Sequence, residues 1–543
     1  MENFKIVVFI MAILISLTAL LNKTKLPYPV LLVVAGLIIG VIPALPDLAL
    51  DPEIVFIIFL PPLLYDAASK TSWHEFRTLI RPISALAITL VFFTTVAVAV
   101  TAHFLIPGFS WPLSFLLGAI ISPPDAVAAT GITKGLGLNK QVITILEGES
   151  LLNDASALIA YRYAVVAVST GTFILWKASL QFLIVSGAGI AIGVAIGYLF
   201  MLAHKKILDN ALVETSLTLL APYVAYLVAE HLQMSGVLSV VSAGLVMSWR
   251  APEIFTYQTR IRTRVVWDTL IFLLNGFVFI LIGLQLPFVL KGMQGYPFWQ
   301  ILGEGLVISL ITIIVRIIWV FAGAYWQSFF KKKKGGAENS HHPDTWKNVL
   351  IVAWTGTRGV ISLATALALP LLLRDGTAFP KRNSIIFLAF VVIFVTLVVQ
   401  GLTLPLLIRW LGIKPQSYAD SEAKELKLYL ANSTLHYIDN ELQAALDNKN
   451  IQSIKNKYEL QTKELTKEIN IYKKAKRTDT DIPETPKNLM LDAQIELLNF
   501  QRELLIKLHK EGEFSDTAIK EVEREMDIDE LKLNLKLPKE EEH

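Results

Sequence analysis

Thirteen apolar runs, each about as long as a bilayer is thick, fill residues 1 to 412 and constrain this chain more than any other feature. A helix needs roughly 20 mostly apolar residues to cross the hydrocarbon core. The runs lie near 5–21, 29–45, 53–68, 82–106, 112–131, 141–168, 177–203, 212–231, 235–249, 265–287, 299–330, 346–373 and 384–411. The expected fold is therefore all-α and polytopic. Composition agrees: 54% hydrophobic side chains against 17% charged ones is too apolar for a soluble globule. The first run is expected to remain as a span. Glu2 and Lys5 make a poor basic leader, and no Ala-x-Ala cleavage pattern follows.

The net charge of +3 hides an uneven distribution, because the residues after 412 are dense in Lys and Glu. The chain is thus read as a membrane domain, 1–412, and a tail, 413–543. With no cysteine, disulfides, thiolate metal sites and Cys nucleophiles are excluded.

Alternate loops differ in basic residues, which orients the spans. One set carries Lys23 and Lys25; Lys70, Arg77 and Arg81; Lys134 and Lys140; Lys205 and Lys206; Arg250, Arg260, Arg262 and Arg264; and Lys331 to Lys334. The opposite loops PALPDLALDP, PGFSWP, VSTGTF and EHLQM have no Lys or Arg, and only LLLRDGTAFPKRN breaks the pattern. The N-terminus is expected outside and, after an odd number of spans, the tail in the cytoplasm.

Thirteen spans divide as 6+1+6, with the pair 112–131 and 141–168 answering 346–373 and 384–411. Both leading members are interrupted, by SPPDAVAATG and by WTGTRG. Interrupted helices at corresponding places in two halves point to an inverted-repeat transporter with its site near the bilayer midplane.

The stretch EGESLLND at 147–154 puts three carboxylates inside an apolar run. An ionisable residue in a span costs about 2.5–3.5 kcal/mol on insertion scales, so each needs a partner or a function. Asp154 shares a helix face with Ser150, and Glu149 with Asn153, by i,i+4 spacing. A carboxylate and a hydroxyl on one face are oxygen ligands suited to a hard cation; the competing reading of Asp154 is a structural acid paired with an Arg. For Glu149 the structural reading is preferred, with Arg358 of the second interruption as its partner. Asp125 follows Pro123 and Pro124, which end a helix; it either caps the next half-helix or lines a site, and the two are compatible. Asp66, in LPPLLYDAA, either lines the site or reaches water near the end of its span. Glu147 reads as solvated or interfacial, Arg162 and Arg316 as structural or snorkelling, and His103 as an outer helix end.

GESLLND, preceded by a broken span with its Asp and by LPPLLYDAA, and followed far downstream by TGTRGVISLATAL, resembles the sodium/proton exchanger branch of the cation/proton antiporters in its bacterial form. The likeness covers about residues 1 to 412. It implies an antiporter rather than an enzyme, with two broken helices that cross and no cofactor beyond the transported Na+ and H+. Asp154 is then the carrier of cation and proton in turn, with Ser150, Asp125 and Asp66 as further oxygen ligands. Na+ would sit at Asp154, Asp125 and Ser150. The resemblance also implies that Asn153 braces the crossed half-helices, that Glu149 pairs with Arg358, and that the protein is a homodimer in the cell membrane with no nucleic-acid partner. In one respect the chain departs from many relatives: prolines precede Asp125, so the carbonyl of Pro124 replaces a Thr hydroxyl among the ligands, which leaves sodium, lithium or potassium preference open.

Competition explains the buried charge. A carboxylate in a partly desolvated pocket holds either a proton or a dehydrated monovalent cation near neutral pH, and sharing one group couples the two fluxes. With Asn rather than Asp at 153, the exchange is expected to be electroneutral. An intramembrane aspartyl protease using Asp66 and Asp154 is the alternative from another class; it lacks the Gly-x-Gly-Asp half. A channel is disfavoured by the absence of a filter motif. From about 418 the tail shows apolar residues at i, i+3, i+4 on a charged background, the pattern of amphipathic helices. DIPETPKN reads as a linker and KLPKEEEH as a disordered end. The tail is expected to regulate, to dimerise or simply to solubilise.

Overall fold

The structure, a computed structural model, describes residues 2–21, 28–41, 52–71, 73–125, 140–171, 175–207, 210–291, 293, 297–333, 345–373, 376–412, 418–441, 449–478, 528, 530, 532 and 533. The chain divides into two compact units, Met1–Pro415 and Gln416–His543. Among the described residues all regular structure is helical, apart from one isolated bridge between Leu372 and Ala378.

In the first unit the helices are α1 (Glu2–Leu21), α2 (Tyr28–Gly40), α3 (Pro52–Lys70), α4 (Trp73–Thr78), α5 (Ile80–Ser84), a π-helical stretch (Ala85–Leu90), α6 (Val91–Leu105) and α7 (Trp111–Ile121). After α7 come α8 (Lys140–Thr170), α9 (Leu175–Ile207), α10 (Ala211–His231), α11 (Gly236–Ile254), α12 (Tyr257–Lys291), α13 (Phe298–Lys333), α14 (Thr345–Trp354), α15 (Val360–Leu367) and α16 (Arg382–Trp410). Seven stretches of the described helices are long and apolar enough to cross a membrane, and α2, α7 and α11 contribute shorter apolar segments.

Local chemistry sets where several of these helices begin. Asn210 caps α10 by accepting the Leu212 N–H at 2.9 Å, and the Ser235 hydroxyl accepts the Leu238 N–H at 3.2 Å in α11. Such a cap contributes about 1 kcal/mol by satisfying a donor the helix leaves orphaned.

Two sets of helices pack mainly among themselves. In one, α2 lies on α12 and α9 on α11, with α1, α3 and α10 completing it. Small residues let these backbones approach: a Cβ at Gly36 would collide with the Ile280 carbonyl, and one at Gly283 with the Val33 carbonyl. Between helices that lipid surrounds, such close packing substitutes for a hydrophobic driving force. In the other set, α6, α7, α8, α13, α14, α15 and α16 surround a core that includes Leu116, Leu117, Ile120, Ile308, Ile385 and Val392. α8 reaches both sets: Leu151 and Ala155 pack with α3 and α11 residues, while Leu146 packs with α13 and α14. The helix carrying the acidic stretch therefore stands between the two sets.

The second unit is described at α17 (Tyr418–Glu441) and α18 (Lys449–Thr478), which pack on each other and bury Ala431, Ile438 and Ile469. Lys455 of α18 donates to Asp439 of α17 at 2.7 Å, a contact that holds the ammonium's pKa above its ordinary value. The expected further tail helices, the DIPETPKN linker and the KLPKEEEH end lie outside the described residues, save for isolated positions near 530.

Candidate functional site

Two helices stop in the middle of the protein, each for a local reason. α7 ends at Ile121; the Ser122 N–H still reaches the Gly118 carbonyl at 2.9 Å, but Pro123 and Pro124 carry no N–H to continue the ladder. Residues 122–125 leave the helix, and the expected half-helix beyond Asp125 lies outside the described residues. α14 ends at Trp354, and 355–359 run as a buried non-helical strip before α15 begins.

The two interruptions meet. The Asp125 N–H donates to the Thr357 carbonyl at 2.7 Å, and the Thr357 hydroxyl returns a bond to the Asp125 carbonyl at 3.1 Å. The Asp125 carboxylate lies against bare backbone at Gly359, where a Cβ would collide with it. Peptide groups that would be unsatisfied in lipid thus satisfy each other across the crossing.

α8 supplies the third wall. Asn153, with no exposed surface, donates its amide to the Pro124 carbonyl at 2.8 Å. Asp154, the next residue, is buried and close enough to Asp125 for the two charges to interact. Ser150 lies one turn earlier on α8 and is half-buried. Carboxylate, hydroxyl and carbonyl oxygens are the ligand types that suit a hard cation. No group of three His, Cys, Asp or Glu side chains that could hold a metal occurs among the described residues.

The expected Glu149–Arg358 pair is not formed. Glu149 is held by Arg316 of α13, whose two Nη atoms reach its two carboxylate oxygens at 2.5 and 2.8 Å, both side chains being buried. Arg316 also donates to the Val352 carbonyl at 3.1 Å through Nη2. Arg358 turns instead to backbone: Nε donates to the Ile121 carbonyl at 2.7 Å and Nη1 to the Gly356 carbonyl at 2.5 Å. The physical reason is the proline pair. It ends α7, so the Asp125 N–H that would reach the Ile121 carbonyl in a continued helix goes to Thr357 instead, and the freed carbonyl at the negative end of the helix dipole takes a cation as its cap. Between the two arginines lies Gly356, where a Cβ would collide with the Arg316 side chain, 2.9 Å from its Nε, and just touch the Arg358 Nη1 at 3.5 Å.

Asp66 makes its contacts elsewhere. It accepts from Lys70 at 2.9 Å, one turn later on α3, and Lys70 also donates to Asp268 of α12 at 2.9 Å. Arg162 donates from Nη2 to both carboxylate oxygens of Glu230 of α10, at 2.8 and 2.7 Å, and His103 stacks on Trp111 at 4.2 Å. Arg316, Thr357 and Thr396, whose hydroxyl accepts the Arg358 N–H at 3.1 Å, are the site residues sequence reasoning missed. Arg316 had a signal: a lone cation inside LITIIVRIIWV warrants a partner by default.

The family described as "Sodium/hydrogen exchanger, transmembrane" matches residues 9–410. An uncharacterised Na+/H+ exchanger of Mycobacterium bovis is 32% identical over 97% of this chain and 96% of its own length. A sodium, potassium, lithium and rubidium/H+ antiporter of Bacillus pumilus is 33% identical over 75% of this chain and 61% of its own. The solved structure of the sodium proton antiporter MjNhaP1 from Methanocaldococcus jannaschii shares the fold with a TM-score of 0.58, at 20% identity, covering 76% of this chain and 99% of that one.

Proposed function

The chain belongs to the sodium/hydrogen exchanger family, and on that premise we propose that it exchanges Na+ for H+ through competition of the two ions for Asp154. It is a transporter, not an enzyme. The observation that carries the mechanism is the crossing: a buried carboxylate beside two helix interruptions, with Asn153 holding one of them at Pro124. In this reading the dehydrated cation is bound by Asp154, Asp125 and Ser150, with the Pro124 carbonyl as a neighbouring oxygen and Asp66 acting from its pair with Lys70. When a proton occupies Asp154 the cation is excluded, so one carboxylate couples the fluxes without a separate gate.

Helices α1 to α16 are read as thirteen spans in a 6+1+6 repeat, with the set around the crossing moving against the set around α12 to expose Asp154 alternately to the two sides. The protein lies in the cell membrane with its N-terminus outside and its tail in the cytoplasm, as a homodimer, the tail serving regulation or dimer contact. Lithium and potassium are the competing substrates; the Bacillus relative's name includes both. The deciding measurement is the pH transient in everted vesicles containing the protein as each alkali cation is added in turn. Sodium-evoked alkalinisation or acidification absent from vesicles lacking the protein supports exchange. No transient with any alkali cation refutes it.

A further inference from the structure

The long helix that comes after each broken one carries a buried amide side chain. After the first it is Asn153 of α8, already engaged with Pro124. After the second it is Gln400 of α16, only 1% exposed, and among the described residues neither its Oε1 nor its Nε2 has a hydrogen-bond partner.

Its neighbours define where Gln400 faces. Thr396, one turn before it, accepts the Arg358 N–H at 3.1 Å; Thr403, almost one turn after it, accepts the Trp354 Nε1–H at 2.9 Å. Residues 396, 400 and 403 share one helix face, so Gln400 stands between the contacts to Trp354 and Arg358, opposite 355–357. Both threonine hydroxyls also donate to their own helix, to Val392 and Val399, so neither has a hydrogen left for Gln400. An amide offers two donors and an acceptor oxygen with two lone pairs. A methionine would fill the same volume without burying idle polar atoms, so the amide is retained at a cost unless it is used.

We infer that Gln400 is a positioning residue of the second interruption, the counterpart of Asn153, and that it acts on 355–357 through bound water. Water accounts for the unpaired donors and acceptor together, since a buried water is held by about 2–4 polar partners. It also suits a segment that must shift during transport, because a water-bridged contact re-forms in more than one geometry. The inference rests on the exchange reading, and its test separates the two.

Exchange is measured in proteoliposomes for wild type, Gln400→Met and Gln400→Asn, with thermal midpoints in detergent. The Met variant keeps its midpoint or gains, while its KM for Na+ rises about tenfold, the loss of one buried hydrogen-bonded contact converted at 1.4 kcal/mol per decade. The Asn variant, which keeps the amide and leaves room for water, stays near wild type. A Met variant with unchanged KM, kcat and pH profile overturns the inference, and so does one whose only change is a lowered midpoint. A high-resolution nanodisc structure decides it without any variant: solvent density within hydrogen-bonding distance of both the Gln400 amide and the 355–357 backbone supports the assignment, and a dry, unpaired amide overturns it. Wild-type vesicles that show no exchange refute the functional reading alone, since the density still decides the role of Gln400.

Discussion

Arg316 on α13 and Glu149 on α8, 167 positions apart in sequence, form a two-pronged ion pair with N–O distances of 2.5 and 2.8 Å. Both side chains are buried, so neither charge has water to fall back on. Breaking such a pair from one side strands the other charge, at a cost of about 3–5 kcal/mol. Arg316→Ala and Glu149→Gln are each expected to lower stability by that order. In a double-mutant cycle the two are strongly coupled, whereas Arg358 and Glu149 are coupled weakly. Thermal midpoints of purified protein in one detergent provide the measurement, and strong Arg358–Glu149 coupling with none to Arg316 would reverse the assignment.

Asp154→Asn is expected to abolish exchange and leave a folded, membrane-inserted protein. The substitution keeps the shape of the side chain and removes the group that takes a proton or a cation in turn. Sodium-driven proton flux that persists in the reconstituted variant would contradict the carrier role.

The Asp125 carboxylate occupies the space a side chain would need at Gly359. Gly359→Ala is therefore expected to push the two interruptions apart and to cut exchange severely. Adding Asp125→Ala removes the obstacle, so the double variant should melt higher than Gly359→Ala alone. Equal or lower midpoints for the double variant would show that the clash is not what destabilises.

Exchange is expected to be electroneutral. Asn153 carries no titratable proton and spends its amide on Pro124, which leaves Asp154 to release one proton for each monovalent cation bound. In proteoliposomes with potassium and valinomycin, the sodium-driven proton flux should be indifferent to the imposed potential. A flux that speeds or slows with potential would mean that a second proton moves.

Much of this was legible without a structure. Apolar runs of bilayer length determine a helical membrane protein, because lipid offers the backbone no other hydrogen bonds. Pro123 and Pro124 determine where α7 stops, since neither has an N–H to give. GESLLND announces that a charge is carried where charge is expensive. These are local properties of the chain, readable from a few consecutive residues. What only the tertiary structure decided is which distant groups meet. Glu149 had two buried arginines to choose from, and nothing in its neighbourhood distinguishes Arg316 from Arg358. The choice went to Arg316 because the proline break leaves the Ile121 carbonyl in need of a cation and Arg358 emerges from the crossing strip beside it. Thr357 found Asp125, and Trp354 found Thr403, by the same packing of helices far apart in sequence. Side-chain chemistry specifies what each group requires, and only the folded backbone determines which partner is near enough to supply it.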